Sequence, residues 1–242
     1  MWKRILSTPL IFIFLFGGTA ASVALGFFIG NKILLPILNI AVSYPVLFCL
    51  LKWEQRKRAI AAMLFWALCM AVITVWSSIH YPAKAEASIF HGREYAYEMM
   101  HWIKTGEGAE GDPVRFAPQH FLHFLAFVLL SMFTGSVLSL LMGAILMNYM
   151  SFYVGTLIQA AREPFLATVM GFQPYAIVRI CSYVILGVVL GEPMICRWLK
   201  KDYEYNDMRP FFWAGLSGII LDILIKTFLA PWWGTTLRSV LP

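Results

Sequence analysis

The sequence predicts an all-α polytopic membrane protein. It reads as one helical bundle over residues 1–242, with about seven transmembrane helices (six being the alternative) and one extracytoplasmic amphipathic interfacial helix. Three observations carry that prediction. Of the 242 residues, 60% are hydrophobic and only 13% are charged, against about 25% charged in soluble domains. With a mean hydropathy of +0.72, such a chain cannot cover a water-facing surface. The apolar residues fall in runs close to the ~20 residues that one span requires, and the basic residues gather in the breaks between them, as in cytoplasmic loops. The net charge of +6 therefore reflects topology rather than nucleic-acid binding, and no Arg-rich patch with interleaved aromatics occurs.

Each element follows in order. Residues 9–30 form a first span. This run exceeds the ~7–15-residue core of a signal peptide, although the small residues around Ala20 and Ala24 resemble a cleavage site. After Asn31 and Lys32, residues 33–51 form a second span, with kinks expected at Pro36 and Pro45. The segment 52–58 is the most basic of the chain and is assigned to the cytoplasm, which also places Lys3 and Arg4 inside. Residues 60–79 lead outward as the third span, so the loop 80–119 is extracytoplasmic.

Residues 121–161 contain no Asp, Glu, Lys or Arg. As one helix they would measure about 60 Å, twice the hydrocarbon core, so two spans with a tight turn near Thr134, Gly135 and Ser136 are expected. A short interfacial or re-entrant segment at 165–173 precedes a sixth span at 175–198. The polar loop 200–209 and a seventh span at 210–230 follow, with Trp232 and Trp233 as an aromatic anchor. Seven spans put both basic loops on one side, with the N-terminus cytoplasmic and the C-terminus extracytoplasmic, in a plasma membrane such as the bacterial inner membrane. Cys49, Cys69, Cys181 and Cys196 lie in or beside apolar runs and read as small hydrophobes.

All five histidines lie between His80 and His123. A helix over 84–104, stopped by Gly106, would place His91, Glu94, Glu98 and His101 within about 80° of arc. Ile89, Ala96, Met100 and Ile103 would occupy the opposite, apolar face, laid on the membrane surface. Two imidazoles and two carboxylates on one stripe are ligands for a divalent metal such as Zn or Fe. Glu98 and His101 have the Glu-x-x-His spacing of di-metal sites, although only one copy is present. His120 and His123 share a face at the top of the fourth span, and His80 closes the third span at the same level. The expected site thus has His91, Glu98, His101, His120 and His123 as metal ligands, Glu94 as general base and Arg179 as an anion clamp. The alternative is that the stripe is simply the wet face of an interfacial helix. A haem held by His80 and His123 ranks behind both.

Residues 105–113, with three glycines and three acids, read as a flexible connector, or as a lid or extra carboxylate donor. They lack the pattern of an EF-hand. Asp222 and Lys226 stand at i and i+4 in the seventh span and read either as an internal pair that neutralises itself or as part of an ion or proton pathway, which a permease would use. Glu192 reads as interfacial, Arg162 and Glu163 as a boundary pair, and Asn148 and Gln173 as interhelical hydrogen bonders. Two functions fit. One is a membrane-embedded, metal-dependent enzyme of hydrolase type acting on a lipid, a lipid-linked group or a membrane-proximal peptide. The other is a non-enzymatic permease or an accessory subunit with a membrane-protein partner. The segment from His91 to His101 carries no motif that assigns a family.

Overall fold

The computed structural model describes residues 8–242. Lys3 and Arg4, and the start of the first apolar run, lie outside the described residues. Helices dominate the rest, and seven are long and apolar enough to cross a membrane. The chain is an all-α polytopic membrane protein.

The helices are α1 (Thr8–Ile29), α2 (Leu34–Lys52), α3 (Arg56–His80), α4 (Pro82–Ser88), α5 (Gly92–Thr105), α6 (Pro113–Thr134), α7 (Val137–Ala160), α8 (Pro164–Gly171), α9 (Pro174–Leu199) and α10 (Tyr205–Val240). A 3-10 turn at Ala109–Gly111 precedes α6. The seven spans are α1, α2, α3, α6, α7, α9 and α10.

Local chemistry explains most boundaries. The Asn31 side chain accepts the amides of Ile33 (2.9 Å) and Leu34 (3.1 Å), satisfying donors that the first turn of α2 leaves open. Pro45 lies inside α2, as expected. Pro36 falls instead in the first turn, where a missing amide costs nothing, so it does not interrupt the helix. The turn between α6 and α7 is built from Gly135 and Ser136, both left-handed with φ of 54° and 69°. A Cβ on Gly135 would lie 2.9 Å from the Trp198 ring, so this position needs glycine for space as well as for φ.

The α1 and α2 helices cross closely because a Cβ on Gly26 would meet Leu35 at 2.5 Å. α1 packs on α2 and α3, α7 packs on α2 and α3, and α2 and α3 also pack on each other. α9 packs on α10 and α6. α10 runs without a break through Pro210 and Pro231 for 36 residues, about 54 Å at the usual rise and well beyond the expected end near Ala230.

The two basic loops meet at one end of the bundle. Lys201 donates to the Lys52 carbonyl (2.8 Å) and to Glu54 (3.0 Å). Arg56 pairs with the buried Glu192 (2.7 Å) and with Asp207 (3.1 Å). Glu192 is therefore a packed partner inside the bundle rather than an interfacial group. The segment 80–119 lies at the opposite end, called here the histidine end.

Two expectations for the histidine end change. The helix over 84–104 is broken: Ile89 is extended and His91 is left-handed (φ 57°). Ile89 is buried at this break and packs against Gly92. α5 is amphipathic as expected, but its apolar side, with Ala96, Met99, Trp102 and Ile103, joins a core with Phe152, Tyr153 and Leu237. It rests on α7 and α10 rather than on lipid, so α5 covers the end of the bundle.

Candidate functional site

A cavity of about 130 Å³ lies between α3, α6, α7 and α9 beneath α5. Its polar end carries Arg179, His120, His123, Tyr95, Tyr149 and Tyr183. Its remaining wall is mostly apolar, including Leu47, Met63, Phe127, Met147 and Val184. A second, open groove of about 470 Å³ runs along α6 and α7 and shares His123, Leu146 and Tyr149 with the cavity. Leucines and Ile145 line its length, and His91 and Gln119 stand at its histidine end. The groove and the cavity thus share a wall.

α6 begins at Pro113, where Asp112 accepts the Val114 amide at 3.0 Å. His120 and His123 therefore lie two turns and more into the helix, deeper than the expected start near Phe121. His120 Nδ1 lies 2.9 Å from the Phe116 carbonyl oxygen. A carbonyl only accepts, so Nδ1 holds the proton, and in the neutral ring Nε2 carries the lone pair. Nε2 is buried with no hydrogen-bond partner among the described residues.

Four charges flank this end. Arg179 Nε and Nη2 donate to the two oxygens of Asp222 at 2.7 and 3.0 Å, leaving Nη1 for a ligand. Lys226 Nζ donates to Glu110 at 2.8 Å and lies 4.4 Å from the centre of the Phe116 ring. Tyr175 also donates to Glu110, at 3.0 Å. The four charges sum to zero, which makes their burial tolerable. The expected Asp222–Lys226 pair does not form, because each side chain has a partner on another element.

The glycine-rich connector is likewise more than a tether. Gly108, Gly111 and Gly234 leave room for the buried Trp102 side chain, which a Cβ on any of them would approach to between 2.8 and 3.4 Å. That packing holds the 3-10 turn so that Glu110 reaches Lys226. Burial pushes the Glu110 carboxyl up, but the charges of Lys226 and Arg179 outweigh it, and the group stays below its ordinary value. Burial, reinforced by Glu110, pushes the Tyr95 hydroxyl well above the usual phenol range, so it remains a neutral donor.

The residues expected from sequence fall into two sets. His120, His123 and Arg179 line the cavity, and His91 joins His123 on the groove. Glu94 is exposed beside His91, with 3.9 Å between its oxygen and the His91 Nδ1. Glu98 and His101 are exposed on the outer face of α5, where His101 stacks beside Tyr97. His80 turns away, stacked on Trp76 at 4.3 Å with Nδ1 2.8 Å from the Trp76 carbonyl oxygen, and does not line the cavity. Among the described residues no group of three or more His, Cys, Asp or Glu side chains is placed to share a metal ion. The break at His91 and the docking of α5 on protein separate ligands that an unbroken helix would have aligned.

Sequence reasoning named the connector around Glu110 only as a tether, a lid or a carboxylate donor, and it missed Tyr95, Tyr149 and Tyr183. The available signal was an acid within a glycine-rich connector, together with tyrosines at i and i+4 on α7. Comparison with family models, with curated proteins and with solved structures finds no match to this chain.

Proposed function

We propose that this multi-pass membrane protein binds an amphiphile at its histidine end: a lipid or lipid-linked group with an acidic head rich in acceptor oxygens. One observation carries the reading. The cavity joins Arg179, His120 and His123 to an apolar sleeve, and it shares His123, Leu146 and Tyr149 with the open groove along α6 and α7. Pockets for such ligands combine apolar walls with a few convergent polar groups. Here Arg179 Nη1 and the Tyr95 hydroxyl meet the head, and the chain lies against Phe127, Met147 and Val184.

His120 gives the site its chemistry. A neutral imidazole with a free, dehydrated Nε2 accepts a hydrogen bond from a head-group hydroxyl and so orients the head. The tie from Nδ1 to Phe116 fixes the ring for that task. The zinc or iron expected from the α5 stripe has no three-ligand group in support of it, and this reading proceeds without it. Asp222 and Lys226, on which a permease reading would lean, are committed to Arg179 and Glu110, which favours a structural role for them. By the positive-inside rule the basic end faces the cytoplasm, and the amphiphile enters from the outer leaflet.

Thermal unfolding in detergent with added single-chain amphiphiles tests the reading. Acidic heads should raise the midpoint more than neutral heads of equal chain length. The variant Arg179→Met/Asp222→Leu, which leaves no orphaned charge, should lose that difference. Equal shifts from acidic and neutral heads on the unaltered protein would refute it.

A further inference from the structure

The cavity has a measurable depth. Along α7 its lining runs from Ser136 to Met150, and along α9 from Val188 to Ala176, about 21 and 18 Å at the usual rise. The hydroxyls at its inner end satisfy each other. Ser136 donates to the Gly187 carbonyl (2.6 Å) and Ser139 to the Ser136 carbonyl (3.3 Å). Gly191 of α9 packs on Gly135 and Ser136 at the same end. α7 and α9 run in opposite directions, so counting along both helices from that contact puts Arg179 near the level of Met147, with Gly143 one turn closer to the inner end.

Gly143 stands apart from the other helical glycines of the bundle. α7 presents Ser139, Leu140, Gly143, Leu146, Met147 and Met150 to the cavity. At about 100° per residue these cover about 120° of arc, and Gly143 sits at its centre. A Cβ on Gly143 would meet nothing within 4 Å. By contrast, a Cβ on Gly155 would lie 3.0 Å from Ser78, on Gly187 3.2 Å from Phe127 and on Gly215 2.7 Å from Leu186. Those glycines let helices or side chains approach. Gly143 admits no neighbour, so the helix bears the cost of a glycine without a packing contact to offset it, and the missing side chain leaves open space in the cavity wall.

We propose that Gly143 sets the chain length of the ligand, and that the ligand is an acidic amphiphile with one unbranched chain of about ten carbons. The inference rests on the amphiphile reading and names the chain that the reading left open. At about 10–15 Å³ for each water-sized group, a cavity of about 130 Å³ takes about ten such groups. Spread over about 18 Å of helix, they stand in single file. That is the shape of one unbranched chain, and it leaves no place for the second chain of a diacyl lipid. With the head at Arg179, the chain passes Gly143 on its way to Ser139 and Ser136.

The test is thermal unfolding of the full chain in detergent with alkyl phosphates and alkyl glucosides of graded chain length, each at the same mole fraction in the micelle. With the phosphates, the rise in midpoint should peak at about ten carbons. Gly143→Leu adds four carbons to the cavity, so the peak should move to chains about four carbons shorter, while phosphates still exceed glucosides. That variant folds, because no atom stands in the way of its Cβ and leucine favours a helix over glycine. Gly143→Ala should move the peak by about one carbon. The same chain-length profile in the unaltered protein and in Gly143→Leu, with phosphates still above glucosides, would overturn the role of Gly143 and leave the amphiphile reading standing. Equal shifts from phosphates and glucosides on the unaltered protein would overturn both.

Discussion

At the scale of single residues, the histidine end depends on partners supplied by other elements. Asp222 is held by Arg179 from α9, and Lys226 by Glu110 from a loop. Asp222→Asn leaves the Arg179 charge uncompensated and should cost about 3–5 kcal/mol, whereas Arg179→Met/Asp222→Leu should recover most of it. Denaturant unfolding of the two variants side by side checks this. Glu110 adds a pH dependence with a definite sign. Its folded carboxyl lies below the ordinary value, so its contribution is complete above the ordinary glutamate range and disappears as pH falls through the folded value. Protection factors at residues 106–112, exchange rates taken relative to the intrinsic rate at each pH, should therefore fall as the medium is acidified below that range, and Glu110→Gln should show the lower protection already at neutral pH. Neither pairing was visible in the sequence, because i and i+4 spacing says which side chains can meet on one helix and nothing about better partners across the bundle.

At the scale of elements, the spans were legible and the histidine loop was not. Hydropathy marks a span because lipid imposes one condition along its whole length, and the charge-free stretch 121–161 divides at Gly135 and Ser136 as its length required. Gly135→Ala places a side chain in a left-handed turn against Trp198 and should destabilise by about 1–2 kcal/mol, measurable as a lower unfolding midpoint. The loop failed for a different reason. Periodicity over 84–104 suggested one helix, yet burial of Ile89 breaks it and moves His91 off the α5 stripe. An amphipathic pattern also gives the same signal whether its apolar face meets lipid or protein. Trp102 separates the two cases: it is buried among Gly108, Gly111 and Gly234. Trp102→Ala should cost about 3–5 kcal/mol and release α5 with the Glu110 turn, seen as new protease sensitivity between residues 88 and 112.

For the whole molecule, the charge distribution and the cavity point the same way. Basic loops meet at one end through Lys201, Glu54, Arg56 and Asp207, and the cavity with its polar residues opens near the other. A membrane-impermeant thiol reagent should label Lys57→Cys and Asp202→Cys from one side and His101→Cys from the opposite side only. The amphiphile reading needs that arrangement, because it places an acidic head beside Arg179 and a chain between α6, α7 and α9. The most direct test is cross-linking of the membrane-embedded protein with an acidic amphiphile carrying a photoreactive group on its chain, followed by peptide mapping. Adducts should concentrate on Phe127, Leu146, Met147 and Val184, and an excess of unlabelled acidic amphiphile should compete them away. Adducts confined to outward-facing residues such as Phe28, Leu125 and Phe228, unchanged by competitor, would contradict the account.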